Sequence, residues 1–367
     1  MGPLNNQHYG MPPRRIPSLD GLRALSITLV LVQHSLMTGS VNEHYPLFWS
    51  VIGNGRLGVS IFFVISGFLI TSQLLEENSR TGQIALRRFY IHRAFRILPP
   101  YYGFLIVLLL LEHTGFLDVG LRGRTDPQTF WLRWQASFVF LRDYIGNESW
   151  WTDHTWSLSV EEQFYLLWPA CLALAGLVKS KKVAVSLILA SPAIRVVCHL
   201  LFPSLGMQRE LMMFHMRMDS LMTGCALAIF YERLQFKCRW TLPAAIFLFV
   251  VSPYLGEYLH GYYQLPFGLS LENLAIGYLL LYAVRNPISL FGRVLNHRIV
   301  AHIGVLSYSL YLWQELFLGK FPLPWGLLGT FLAAELSWRV IERPALELRD
   351  RLLAPAEASR FVRWMHS

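Results

Sequence analysis

The first apolar run of the chain carries an arginine and a histidine, Arg23 and His34. Ionisable groups are costly in hydrocarbon, so an intramembrane Arg or His points to function by default. Their separation carries the information. Eleven residues of α-helix turn through about 1100°, three turns plus about 20°, so both side chains leave one face, about 16 Å apart along the axis. A permanent cation at one depth and a titratable base at another suit an extended, anionic substrate whose reactive end must meet a base. The plainer use of the same pair is to glue the first helix to its neighbours.

Three further constellations carry candidate chemistry. Arg93 and Arg96 share a helix face and can grip phosphate groups bidentately; as ordinary loop arginines they would only anchor the cytoplasmic side. Glu161 and Glu162 open a later apolar run, within His154-Thr-Trp-Ser-Leu-Ser-Val-Glu-Glu-Gln163. Helix counting puts them at a depth similar to that of His34, where a carboxylate would orient the ring and stabilise its imidazolium. An acidic helix start facing the macrodipole explains one of these glutamates more readily than both. Arg217 and Asp219 are two apart and cannot face each other on a helix, so each needs a partner elsewhere and structural pairing is expected. His199, His215, His260 and His302 lie singly near the ends of apolar runs and read as interfacial. The four cysteines have no metal-type spacing, and no metal is expected. HExxH, GxSxG, Walker and Rossmann patterns are missing from the chain.

The elements that must position these groups follow from composition. Of 367 residues, 54% are hydrophobic and 15% charged, with a mean hydropathy of +0.38. A soluble domain would carry about a quarter charged residues, so the expected fold is an all-α, polytopic membrane helix bundle. Apolar runs fall near residues 16–35, 57–75, 97–111, 156–178, 183–202, 214–231, 242–255, 265–284, 303–318 and 323–340. A patch at 130–141, broken by Arg133, spans about a dozen residues where a crossing needs about twenty, so it reads as interfacial or re-entrant. Ten crossings place 23 of the 32 Lys and Arg on one side and seven on the other. The positive-inside rule then puts both termini in the cytoplasm. The net charge of +9 is explained by this asymmetry, and nucleic acid is not expected as a partner. The expected division is a cytoplasmic tail over 1–15 without a signal peptide, a membrane domain over 16–351 and a second cytoplasmic tail over 352–367.

Seven motifs in order resemble the acyltransferase-3 family of bacterial polytopic membrane acyltransferases. They are Leu19-Asp-Gly-Leu-Arg23 with His34, Phe62-Phe-Val-Ile-Ser-Gly-Phe-Leu-Ile70, Arg93-Ala-Phe-Arg96, Trp156-Ser-Leu-Ser-Val-Glu-Glu-Gln-Phe-Tyr165, Arg217-Met-Asp219, Ser307-Tyr-Ser-Leu-Tyr-Leu-Trp313 and Ile341-Glu-Arg-Pro344. One position departs: many members have histidine after the Tyr-Leu-Trp motif, where this chain has Gln314, which puts a second proton carrier there in doubt. No SGNH-type domain follows, so a stand-alone form is expected.

The resemblance implies transfer of an acyl group, usually acetyl, from cytoplasmic acyl-CoA to a hydroxyl. The acceptor would be a sugar of a surface or exported glycan or glycolipid, and the site the bacterial cytoplasmic (inner) membrane. Acetyl-CoA would be the co-substrate, held by Arg23, Arg93 and Arg96. His34 would be base or acyl carrier, supported by Glu161 or Glu162. Trp156, Ser157, Arg217, Asp219 and Tyr311 are the remaining expected polar positions, for substrate or structure. Two other readings stay open: a transporter or flippase of an anionic glycolipid, and an acyltransferase acting on a small secondary metabolite. A transporter would be expected to show inverted repeats, and none is visible in the chain.

Overall fold

A computed structural model of the chain describes residues 17–38, 52–117, 127–145, 150–234 and 238–353. The expected tails over 1–15 and 352–367 lie almost wholly outside the described residues. Every described regular element is helical. The first is α1, Pro17–Thr38, which carries Arg23 and His34. It is followed by α2, Gly55–Thr81, and α3, Leu86–His113. A short α4, Pro127–Phe138, precedes the long α5, Trp156–Leu201. Then come α6, Phe214–Ile229, α7, Cys238–Leu259, and α8, Gly261–Arg285. Finally α9, Arg298–Leu318, and α10, Trp325–Ser337, lead through a π-helical turn at Trp338–Glu342 into α11, Arg343–Leu353. Among the described residues, five helical stretches are long and apolar enough to cross a membrane, namely α2, α3, the stretch containing α5, α7 and α8.

Local sequence sets the helix ends. Asn54 accepts a hydrogen bond from the Leu57 N–H (2.9 Å) and so caps the start of α2. Gly82 ends it in the left-handed region at φ 74°, a conformation that costs glycine nothing. The runs expected at 156–178 and 183–202 form one helical stretch with a break at Gly176, φ 73° and ψ 169°. Lys179, Lys181 and Lys182 follow that break inside the helix, not in a separate loop. The patch at 130–141 is largely covered by α4, whose twelve residues span about 18 Å. Two tyrosines after Pro99-Pro100 on α3 hold its end: Tyr101 Oη donates to Ser137 O (2.8 Å) and Tyr102 Oη to Phe138 O (3.1 Å).

Packing is close between α2 and α6, where Gly67 lies against the Leu221 carbonyl and Gly224 against the Val64 carbonyl. A Cβ at either position would collide with the facing backbone, so the two helices touch main chain to main chain, as small residues permit in membranes. The same device joins α1 to α9, with Gly304 against the backbone of Asp20. The core lies among α1, α2, α3, α5, α6, α8 and α9. The outward face of α5 is apolar; Leu174 is 85% exposed and Leu189 and Leu200 each 73%. Such a face has no use in water and fits hydrocarbon. Replacing Gly224 with valine should force α6 off α2. Overpacking of this kind costs about 1–3 kcal/mol, which should appear as a lower thermal unfolding midpoint in detergent and a smaller monodisperse yield, with Gly224→Ala less affected.

Candidate active site

One face of α1 opens on two cavities. The first is lined by Arg23, Arg93, Arg96, Glu161, Glu162 and Tyr165, among others. Each arginine is held by a different partner. Arg23 Nη1 lies 3.1 Å from Asp20 Oδ1, one turn back on α1. The Arg93 guanidinium sits over the Tyr165 ring, 4.4 Å from its centre, and that of Arg96 over the Trp338 ring at 5.8 Å. Arg96 Nη1 also lies 3.9 Å from the buried Glu342 Oε2. These contacts fix the cations while leaving guanidinium edges on the cavity wall. Glu161 accepts from Ser66 Oγ (2.7 Å) and Tyr165 Oη (3.0 Å). Glu162 Oε1 has no hydrogen-bond partner among the described residues.

The second cavity, about 500 Å³, lies further along α1 towards Thr38 and is lined by His34, Arg56, Asp153, His154, Glu257, His260 and Glu315, with Gln33, Asn54 and Gln264 among its neutral polar groups. His34 Nδ1 faces Gln314 Oε1 at 3.2 Å, and its Nε2 faces Glu315 Oε1 at 3.4 Å. The other oxygen of Glu315 faces His154 Nδ1 at 2.8 Å. One buried carboxylate thus stands between two imidazoles. Val59 and Tyr311 line both cavities. Tyr311 Oη is fixed by Ser157 Oγ and the His154 carbonyl, each at 2.6 Å.

The expected partnership of His34 with Glu161 or Glu162 is not what the helices build. Glu161 bonds Ser66 and Tyr165 on the arginine-lined cavity, and the carboxylate at His34 is that of Glu315. The reason is depth. His154 lies just before the start of α5, and Glu161 is seven residues further on, about 10 Å along the axis. The residue level with His34 is therefore His154, and the glutamates belong to the other cavity. Glu315 had a signal of its own: it is the one acidic residue in the apolar run 303–318, and it stands next to Gln314, where the motif departs from the expected histidine.

The remaining polar positions separate into two groups. Trp156 lines the His34 cavity and meets Phe63 edge-on, with ring centres 6.1 Å apart. Arg217 lies over both rings, 5.6 Å from Phe63 and 6.0 Å from Trp156, and its Nη2 donates to Ser60 Oγ (2.9 Å). Asp219 pairs with neither cavity; its Oδ2 accepts from Arg195 Nη1 (2.9 Å) and Ser270 Oγ (2.7 Å). This cluster, with Arg195 and Asp219 buried, ties α5, α6 and α8 together, as the two-residue spacing from Arg217 requires of a partner elsewhere. Outside the helices, Asp143 joins α5 to α6 by accepting from Gln163 Nε2 (2.8 Å) and the Phe214 N–H (3.1 Å); burial pushes its carboxyl up to about 6. No group of metal-ligating residues is found among the described residues.

A family model described as an acyltransferase domain matches residues 16–338. The chain belongs to the acyltransferase-3 family. Both cavities are built from its matched region, apart from the Glu342 support of Arg96. The chain is 30% identical to a peptidoglycan O-acetyltransferase of Listeria monocytogenes, over 90% of this chain and 55% of that protein. It is also 30% identical to a putative peptidoglycan O-acetyltransferase of Bacillus subtilis (92% and 55%), and 28% identical to an O-acetyltransferase of Staphylococcus aureus (96% and 61%). The chain thus spans between half and two thirds of the length of these relatives. No solved structure matches it. Breaking the buried Arg195–Asp219 pair by Asp219→Ala should cost about 3–5 kcal/mol. It should lower the unfolding midpoint in detergent sharply, and any folded fraction should keep the two cavities.

Proposed function

We propose that this chain moves an acetyl group from acetyl-CoA to a hydroxyl of a cell-envelope glycan across the two cavities of α1. The observation that carries the reading is their arrangement: three arginines line one, His34 lines the other, and the two meet at Val59 and Tyr311. The phosphates of the coenzyme would sit against Arg23, Arg93 and Arg96, with Glu161 and Glu162 spacing the cations. The thioester end of the extended donor would reach past Tyr311 and Trp156 towards His34. The relatives named as peptidoglycan O-acetyltransferases favour a glycan as acceptor. In this reading ten helical segments cross the bacterial cytoplasmic membrane with both termini inside, so the arginine cavity faces the cytoplasm and the His34 cavity the outer side.

A hydroxyl is a poor nucleophile until its proton leaves. His34 accepts that proton as the acceptor oxygen attacks the thioester carbonyl carbon. The C–S bond then breaks, and the departing thiolate takes a proton back from the imidazolium. Glu315 holds the His34 ring and offsets the positive charge that forms on it, the task first expected of Glu161 or Glu162. General base catalysis of this kind is worth about 10²–10⁴-fold.

His34→Ala should therefore reduce transfer at least a hundredfold while acetyl-CoA binding and membrane insertion persist. The measurement is mass spectrometry of envelope glycans from cells carrying wild type, the variant or neither; near-normal acetylation by the variant removes His34 from the reaction. Labelled acetyl-CoA supplied without acceptor separates direct attack from an acyl-imidazole route, because only the second leaves label on His34. Lysine at position 93 or 96 keeps the charge but loses the planar fork. Either substitution should weaken acetyl-CoA binding about tenfold by calorimetry. Unchanged binding makes these arginines topology anchors only.

A further inference from the structure

A third cavity, of about 380 Å³, lies among α1, α7 and α8 and shares no lining residue with the other two. Leu22 and Leu25, which flank Arg23 on α1, form part of its wall. Its floor is the buried Leu248, Ile276 and Leu280, while its rim carries Leu242 and Leu290, 68% and 73% exposed. A hollow with such walls stays dry and takes an apolar guest. It stands at one end of the bundle. Ser18 Oγ, at the start of α1, donates to Ala283 O near the end of α8 (3.1 Å), and Cys238 Sγ, at the start of α7, lies 3.3 Å from Tyr282 Oη.

The mouth differs from ordinary lipid-facing surface by its charge. Arg239 adjoins the lining residue Cys238. Arg293 follows the rim residue Leu290 by three positions on the short helix Leu290–Leu295, a spacing that puts two side chains on one face. Both arginines are exposed, and neither forms an ion pair among the described residues. Thr241, on the cavity wall, has an Oγ1 without a hydrogen-bond partner among the described residues. Arg285, at the end of α8, donates to the carbonyls of Tyr231 and Leu234 and adds positive charge at the same end.

We infer that this cavity binds an anionic phospholipid, with an acyl chain among α1, α7 and α8 and the phosphate at Arg239, Arg293 and Thr241. Each part of the ligand answers a part of the wall: hydrocarbon meets the leucine floor, and negative charge meets the basic mouth. Basic pockets between membrane helices select anionic headgroups in this way, whereas a zwitterionic lipid brings its own cation to the arginines. Charge also argues against the chain's own ends as occupants. Residues 1–16 carry Arg14 and Arg15, and residues 354–367 carry Arg360 and Arg363 against a single Glu357. A second copy docked about a two-fold axis would set the same arginines against each other. The leaflet that supplies the lipid follows from the topology proposed above; the site itself does not depend on it, nor on acetyl transfer.

Native mass spectrometry of the delipidated full chain in detergent tests the inference, with phosphatidylglycerol and phosphatidylcholine of identical acyl chains as probes. Wild type should bind one phosphatidylglycerol at least tenfold more tightly than phosphatidylcholine. Ala245→Phe, which fills the cavity, should lose the tight site for both lipids. Arg239→Gln with Arg293→Gln should weaken phosphatidylglycerol about 25-fold, about fivefold per arginine, and leave phosphatidylcholine unchanged. The charge variant alters exposed side chains only, so it decides the matter even if Ala245→Phe does not fold. Equal affinity for the two lipids, or a preference that survives loss of both arginines, overturns the inference. So does a folded Ala245→Phe that binds phosphatidylglycerol like wild type. A wild-type dimer that Ala245→Phe makes monomeric would give the cavity to a second copy, and a site that opens only when residues 354–367 are removed would give it to that tail; either result overturns the inference as well.

Discussion

A charge placed between membrane helices has to find its counter-charge inside the protein, because lipid offers none. That requirement organises this bundle. Arg195 on α5 meets Asp219 on α6, Arg56 on α2 meets Glu272 on α8, and Arg96 on α3 meets Glu342 after α10. The second and third pairs join helices far apart in the chain and the first joins successive ones, so the polar groups fix which helices are neighbours while the apolar ones fill the space. Breaking such a pair is expensive because it strands the survivor in a dry interior. Glu315 meets the same requirement with two imidazoles instead of one guanidinium. Its partners are titratable groups where the other pairs use a permanent cation.

Close helix contact makes these pairings possible. The glycine contacts between α2 and α6 bring Ser60 within reach of Arg217 and leave Phe63 and Trp156 stacked around the guanidinium. At the other joint, Gly304 lets α9 approach α1 closely enough for Gln314 and Glu315 to meet His34. Bulkier residues at these crossings would push the helices, and the side chains they carry, apart. The rigid part of the site is thus set by residues with no side chain at all.

Much of this was legible along the chain. Periodicity within one helix put Arg23 and His34 on one face, and the structure opens that face on two cavities at two depths. The spacing of Arg217 and Asp219 excluded a mutual pair, and Arg195 is the partner that supplies the missing cation. The short, Arg-broken patch before α5 is a short helix held by two tyrosines. What could not be read was pairing across helices. His34 and Glu315 are 281 residues apart, and nothing in the period of either helix names the other. The misplacement of Glu161 and Glu162 has a related cause: depth was counted from the ends of apolar runs, and an error of two turns there exchanges one cavity for the other. His154 went unread because it precedes the helix, where a histidine usually marks only an interface.

The placement of Arg23 and His34 on one uninterrupted helix also constrains how such a chain can change over time. Their separation is set by backbone rise alone, with no loop between them to absorb a change of length. A single inserted or deleted residue would swing His34 through about 100° and carry it off the cavity, while leaving composition and hydropathy untouched. Substitutions between the two positions can be tolerated where they suit the packing around α1, but length cannot drift. The eleven-residue interval behaves as a fixed ruler, and variation in length is driven into the loops that join the helices.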